Sequence, residues 1–266
     1  MSVVTLITDF GLGDNYVGVM KGMILKAAPS ATIVDITHGI RPQDTRQAAY
    51  TLAASYPYFP EGSAHLCVVD PGVGSGRAPL AARAAGHFFV GPDNGVFTRI
   101  IQNEPSFHAR RIENREFMAG KISSTFHGRD IFGPAAGKLV MGAALEEFGP
   151  GMEKLVTIDA PDAKMAGPGV IRGAIVHIDH YGNAVTNIAM DLVQKTKQDG
   201  GYEKLEVVHH AGRVGAILAS YSHAPDPASL GVTVGSWDTL EFFVKSGHAA
   251  NTHGLCVNDD VEVHFH

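Results

Sequence analysis

Residues 2–37, SVVTLITDFGLGDNYVGVMKGMILKAAPSATIVDIT, decide the fold. SVVTLITD (2–9) is a short, β-branched, apolar run that ends in an acid, which reads as a strand. Tyr16, Met20, Met23, Ile24 and Ala27 recur at helical spacing, so 15–27 is a helix. ATIVDIT (31–37) is the next strand. The alternation continues. QDTRQAAYTLAASY (43–56), after Pro42, is an Ala-rich helix; AHLCVVD (64–70) and HFFVGPDNG (87–95) are strands. RDIFGPAAGKLVMG (129–142) is a helix with Asp130 as its expected N-cap. Such alternation predicts a mostly parallel sheet with helices on both faces. Ligands of open parallel sheets bind beyond the strands' carboxyl ends. Asp9 and Asp70 fall at such ends, and Asp35 nearly so.

The texture changes after about residue 150. GPGMEKLVTIDAPDAKMAGPG (149–169) is rich in Gly and Pro. Beyond it come short β-rich runs: GVIRGAIVHID, KLEVVHH, VGAILAS, GVTVGSW, TLEFFVK and DDVEVHFH. They suit a small antiparallel sheet or barrel. We therefore expect a domain over 1–160, a linker over 161–169 and a β domain over 170–266.

The 266 residues are 45% hydrophobic and 18% charged, with net charge −6, an ordinary globular balance. A mildly acidic chain lacks the basic face that general nucleic-acid binding needs. No apolar run approaches the ~20 residues of a membrane span. The first residues show no basic, then apolar, secretory signal. Cys67 and Cys256 make no metal-like CxxC spacing, and a cytoplasmic setting is expected. There is no GxxxxGK[ST], GxSxG or HExxH, and the glycines of DPGVGSGR are spaced GxGxG, not GxGxxG. His209–His210 and His264–His266 read as exposed strand residues rather than ligands.

Four segments carry chemistry. TDFGLGDN (8–15) sets Asp9 and Asp14 around two glycines past a strand; Asp9 suits a ribose diol, or is simply a turn former. VVDPGVGSGR (68–77) lets Arg77 fold back on Asp70, as a working pair or a structural one. TFHGRD (125–130) supplies His127, a proton carrier or a packing residue, with Gly128 admitting close backbone approach. HIDHYGNAVTN (177–187) gathers Asp179, Asn183 and Asn187; Asn183 has an amide that suits an adenine edge, or is part of an Asn-rich turn.

Together the ordered segments resemble a known family. ITDFGLGDNYVGVMKGMIL, VDITHGI, FPEGSAHLCVVDPGVGSGR, FVGPDNGVFT, FHGRDIFGPAA and IDHYGNAVTNI resemble the S-adenosyl-L-methionine (SAM) hydroxide adenosyltransferases, relatives of SAM-dependent fluorinases and chlorinases. The resemblance implies an α/β chain: an N-terminal Rossmann-like three-layer α/β domain and a C-terminal β-barrel domain. It implies a homotrimer with each site between one subunit's N-domain and its neighbour's C-domain. It implies SAM as substrate, adenosine and methionine as products, no metal or organic cofactor, and no nucleic-acid or membrane partner. The family's catalytic triad falls on Asp70, Arg77 and His127. Its ribose acid falls on Asp9, acids near the methionine amine on Asp14 and Asp179, and its adenine-reading residue on Asn183. Halogenases carry Tyr at position 70, a small or hydroxyl residue at 128, and lack the His and Arg, which implies water as nucleophile here. The family's Asn-Ser stretch reads GSWDTLEFFVKSGHAA (235–250) here; only Ser236 carries over as a binding residue. The fluorinase Trp near the sugar falls on Gln43. The expected chemistry has Arg77 favouring deprotonated water and Asp70 orienting the cluster, with the proton passing to one of the triad members, His127 among them. The rivals are a metal-dependent hydrolase built on Asp9, His38, Asp70, His127 and Asp130, a non-catalytic SAM or adenosine sensor, and a halogenase.

Overall fold

The computed structural model describes residues 2–224 and 226–266. They form two compact units, Met1–Ala160 and Pro161–His266.

The first unit is built on a seven-stranded sheet in the order β2-β1-β3-β5-β4-β6-β7. The strands are β1 (Val3–Thr8), β2 (Thr32–Thr37), β3 (Ala64–Val68), β4 (Pro79–Ala84), β5 (His87–Pro92), β6 (His108–Arg111) and β7 (Gly151–Met152). Its helices are α1 (Tyr16–Ala27), α2 (Thr45–Ser55), α3 (Thr98–Asn103) and α4 (Gly133–Val140). Strand alternation splits the core in two. Leu66 and Val68 of β3 join Met20, Ile24 and Leu139 on the α1/α4 face. Cys67 and Val69 join Leu52 and Ile100 on the α2/α3 face. This is the three-layer arrangement. The sheet is less parallel than the alternation predicts. β1, β2, β3 and β5 pair in parallel, while β4, β6 and β7 add antiparallel. The reason is local: Ala85 and Gly86 both take positive φ and turn β4 straight back into β5.

Asp130 is not an N-cap. Gly128–Phe132 is a single π turn running into α4, and no side chain caps its start. The Asp130 carboxylate instead accepts the Ser123 N–H at 2.8 Å and pairs with Arg129.

The second unit holds an antiparallel sheet in the order β12-β11-β15-β9-β10-β14-β13, with β8 beside β9. Its strands are β8 (Lys164–Gly167), β9 (Val170–Ile178), β10 (Ala184–Ala189), β11 (Leu205–His209), β12 (Gly212–Val214), β13 (Leu230–Val234), β14 (Thr239–Val244) and β15 (Asp260–Phe265). After β12 the chain runs back past β13, where the Leu218 N–H donates to Val232 O at 2.7 Å. That contact brings the two ends of the sheet together into a barrel-like curl. Three expectations change here. Residues 164–167 of the expected linker are a strand, because their backbone pairs with β9. VGAILAS contributes only its first residue to a strand, with a single bridge at Leu218. Helices α5 (Met190–Gly200) and α6 (Ala249–His253) interrupt the β-rich runs.

Candidate active site

Asp9 follows β1 directly. Its Oδ2 accepts the Gln43 N–H at 2.8 Å, and Gln43 holds φ +68° to present it. A left-handed non-glycine residue is uncommon and marks a geometry the surroundings impose. The loop is pinned from below. The Thr8 hydroxyl bonds His38 Nδ1 at 2.8 Å and accepts the Phe10 N–H at 3.2 Å, while Gly11 N–H donates to His38 O at 2.8 Å.

Asp70 lies two residues past β3, where the chain turns through DPGVGSGR. Arg77 folds back as a fork. Its Nε donates to Asp70 Oδ1 at 3.0 Å, and its Nη2 donates to Asp70 Oδ2. The same Nη2 donates to His127 Nδ1 at 2.7 Å. Both charged side chains are more than nine-tenths buried. Phe132 packs under the guanidinium, 5.1 Å from its centre. Arg77 Nη1 is buried and has no protein partner. An arginine has only donors, so His127 Nδ1 is the acceptor and the neutral ring carries its proton on Nε2. Burial first, and the Arg77 charge second, hold His127 below its usual 6.5 despite Asp70 and Asp130 nearby. His127 is therefore a neutral ring with Nδ1 engaged by Arg77 and its proton on Nε2.

The two loops that carry these groups fit closely. A Cβ on Gly74 would stand 2.5 Å from Ser124 O, so only glycine lets the Asp70 loop approach the segment before His127. Asp9, Asp70 and His127 line one cavity of about 480 Å³, and every residue around it belongs to the first unit. Asp14 lies apart, exposed at the head of α1, and is not among the lining residues.

The remaining expected residues are in the second unit. The Asp179 carboxylate accepts N–H bonds from Tyr181 and Asn183 and the Asn183 amide at 3.1 Å. One amide hydrogen of Asn183 is thus committed to Asp179, and the segment is a hydrogen-bonded turn. Asn187 lies in β10, accepting from Ala174 N–H and donating to Pro161 O. Ser236 is exposed in the β13–β14 turn, beside Trp237, which stacks on His177 at 5.3 Å. The sequence reading missed two features of this unit. Tyr221 donates to the buried Glu241, whose carboxyl burial pushes up. Gly182 (φ +83°) packs so close to His248 that a Cβ would fall 2.1 Å from its Nδ1. The only signals were an acid inside an apolar strand run and a glycine after Tyr181.

His209 is buried, not exposed, because its Nε2 meets Asp259 Oδ2 at 3.2 Å. Among the described residues, His209, His210 and Asp259 alone gather three metal-competent side chains. Ala211 N–H donates to His209 Nδ1, which leaves the proton on Nε2, turned to Asp259. Both ring nitrogens of His209 are thereby engaged within the protein, and this ring offers no lone pair to a cation. The five residues of the metal-hydrolase rival form no such cluster among the described residues: His38 is bonded to Thr8, Asp130 to Arg129 and Asp70 to Arg77.

The chain is similar to known proteins over most of its length. Residues 4–149 match the model of the SAM hydroxide adenosyltransferase N-terminal domain, and residues 173–262 that of the C-terminal domain. An (R)-S-adenosyl-L-methionine hydrolase of Thermus thermophilus is 36% identical over 262 residues, 96% of each chain. A fluorinase of Actinoplanes sp. is 26% identical over 219 residues, 73% of this chain and 74% of that one. The crystal structure of an uncharacterized conserved protein from Thermotoga maritima superposes with a TM-score of 0.89 at 32% identity, covering 99% of both chains.

Proposed function

The chain belongs to the SAM hydroxide adenosyltransferase family, and on that footing we propose that it hydrolyses SAM to adenosine and L-methionine. The T. thermophilus relative is named for the R epimer at sulfur, and that epimer is the substrate we assign. One observation carries the reading: Asp70 and His127, joined through the buried Arg77, line the same cavity as Asp9.

The reaction needs little acid catalysis, because attack at ribose C5′ expels methionine as a neutral thioether. The difficulty is the nucleophile. A fixed guanidinium lowers the pKa of a nearby water. Arg77 Nη1 lacks a protein partner, and His127 Nε2–H is a donor, so the two suit a hydroxide taken from solvent. Asp70 keeps Arg77 in place and holds the cluster's net charge down. Asp9, with Oδ2 fixed by Gln43, keeps its other oxygen for the ribose diol. Aligning oxygen, C5′ and sulfur supplies the orientational part of the rate. No metal or organic cofactor enters these steps.

The cavity is walled by one unit alone, while Asp179, Asn183 and Ser236 belong to the other. We assign them, with Asp14, to the methionine and adenine ends of the substrate. We further propose a cytoplasmic homotrimer in which a neighbouring subunit's second unit completes each site. Among the described residues no helix is long and apolar enough to cross a membrane.

The test is purified protein with (R)-SAM in metal-free, chloride-free buffer, with products resolved by chromatography. Adenosine and methionine, unaffected by chelator, are expected. Binding without product would favour the sensor, and chlorodeoxyadenosine on adding chloride would favour a halogenase.

A further inference from the structure

Three aromatic rings stand together in the wall of the Asp9/His127 cavity: Phe10, Tyr16 and Phe126. Their centroids are 5.9 Å (Phe10–Tyr16), 5.9 Å (Phe10–Phe126) and 5.4 Å (Tyr16–Phe126) apart. The interplanar angles are 64°, 76° and 83°, so each ring stands nearly upright to the other two. Rings set this way form a corner and do not stack face on face. An aromatic face carries negative potential and attracts a cation within about 6 Å. Phe126 already shows this, with the Arg129 guanidinium 5.1 Å from its centroid. Asp130 balances that guanidinium through two hydrogen bonds. Tyr16 is 46% exposed, an unusual place for an aromatic that serves only the core.

The triad uses none of these rings, and no charge in the cavity wall is set aside for a positive sulfur. We propose that Phe10, Tyr16 and Phe126 form an aromatic corner that recognises the sulfonium of the substrate by its charge. The inference rests on the SAM reading and adds how this site tells a sulfonium from a thioether. A sulfonium is a soft, weakly hydrated cation, well suited to aromatic faces. When hydroxide takes C5′, the C5′–S bond breaks and its electron pair stays on sulfur. Methionine leaves as a neutral thioether, and the corner loses its hold on the product as the bond breaks.

The experiment measures dissociation constants of (R)-SAM and of S-adenosyl-L-homocysteine by calorimetry, with turnover followed in parallel by chromatography. The second ligand lacks only the sulfonium methyl and its charge. The proteins are the intact chain, Tyr16→Leu, Phe126→Leu and Tyr16→Phe. Leucine keeps apolar bulk and removes the π face; phenylalanine keeps the face. The intact chain is expected to favour the sulfonium. Each leucine variant should weaken (R)-SAM by about 3- to 30-fold and leave the thioether within about 2-fold, while Tyr16→Phe stays near the parent. Equal loss of both ligands, or no preference in the intact chain, would overturn the corner and leave the hydrolase reading standing. No binding of either ligand to the intact chain would instead remove the SAM reading and this inference with it. Tyr16 is exposed, so its leucine variant should melt with the parent and keep the comparison valid if Phe126→Leu misfolds.

Discussion

Arg77 Nη2 donates to His127 Nδ1 across 2.7 Å, and that bond decides which histidine nitrogen holds the proton. With Nδ1 accepting, Nε2 is protonated in the neutral ring and the imidazole offers the nucleophile a donor. If it were the general base, removing it would abolish the dependence of rate on pH. If hydroxide is captured from solvent, log kcat/KM should still rise with pH in His127→Ala, at a rate lower by orders of magnitude. A flat profile in that variant would return His127 to the role of base. In the parent, burial and Arg77 keep His127 neutral to below 6.5, so its protonation should cut activity only on the acid side of that value.

The fork on Asp70 makes Arg77 irreplaceable by another cation. Lysine is a compact point charge without the planar fork that reaches both Asp70 oxygens and His127 from fixed positions. Arg77→Lys and Asp70→Asn should each lose turnover by about 10²-fold or more, as removal of a fixed transition-state donor does elsewhere. Their affinity for SAM should change little. Asp9→Ala should do the opposite, raising KM, because its carboxylate holds the sugar and no reacting atom. Steady-state kinetics on the three variants separates the roles.

The residues of the first unit were legible for physical reasons. Asp9 and Asp70 each end an apolar strand, and glycines beside them announce a backbone that crowds a ligand. The register of Leu6 with Asp35 and of Leu66 with Val90 follows from alternating faces. The π turn at Gly128–Phe132 was not legible, since its apolar pattern is that of an α-helix. Asp130 looked like a cap because an acid opens the run; its partner Ser123 lies in a loop with no periodic signal. In the second unit, α5 was hidden because MDLVQKTKQDG buries only Val193 and Thr196. Its polar faces gave no stripe to read. The Asp179 turn was visible as a turn, but its contact with His248 joins positions far apart in the chain.

Two buried histidines predict an acid-labile fold. His65 Nδ1 bonds the Thr5 hydroxyl at 2.8 Å, and its Nε2 meets His87 Nδ1 at 3.2 Å. Burial, with His87 nearby, holds His65 down to about 3 from its usual 6.5. The folded state thus binds this proton less readily than the unfolded state. Stability from the neutral ring is complete above 6.5 and is lost as pH falls towards 3. Thermal melting followed from neutrality down to about pH 4 should show a steep loss of Tm. His65→Leu should flatten that loss. It should also cost ~1–3 kcal/mol at neutral pH, because the Thr5 hydroxyl and a His87 nitrogen lose their partner. A melting curve equally steep in the variant would place the acid sensitivity elsewhere.

A shared site can be tested without knowing the arrangement of the subunits. If the Asp70 cluster and the Asp179–Asn183 turn serve one substrate from different copies, two differently disabled chains repair each other. Asp70→Asn removes the nucleophile's support and Asp179→Ala removes the turn that carries Asn183. Each homomer alone should be inactive or nearly so. Mixed by co-expression, some interfaces pair the intact first unit of one chain with the intact second unit of another. Activity should then return to a sizeable fraction of the parent, while mixtures of Asp70→Asn with His127→Ala should stay dead, since both lesions fall on the same cavity. Recovery in neither mixture would mean that each chain completes its own site. The oligomeric state of the mixture, from native mass spectrometry, says how many copies that repair requires.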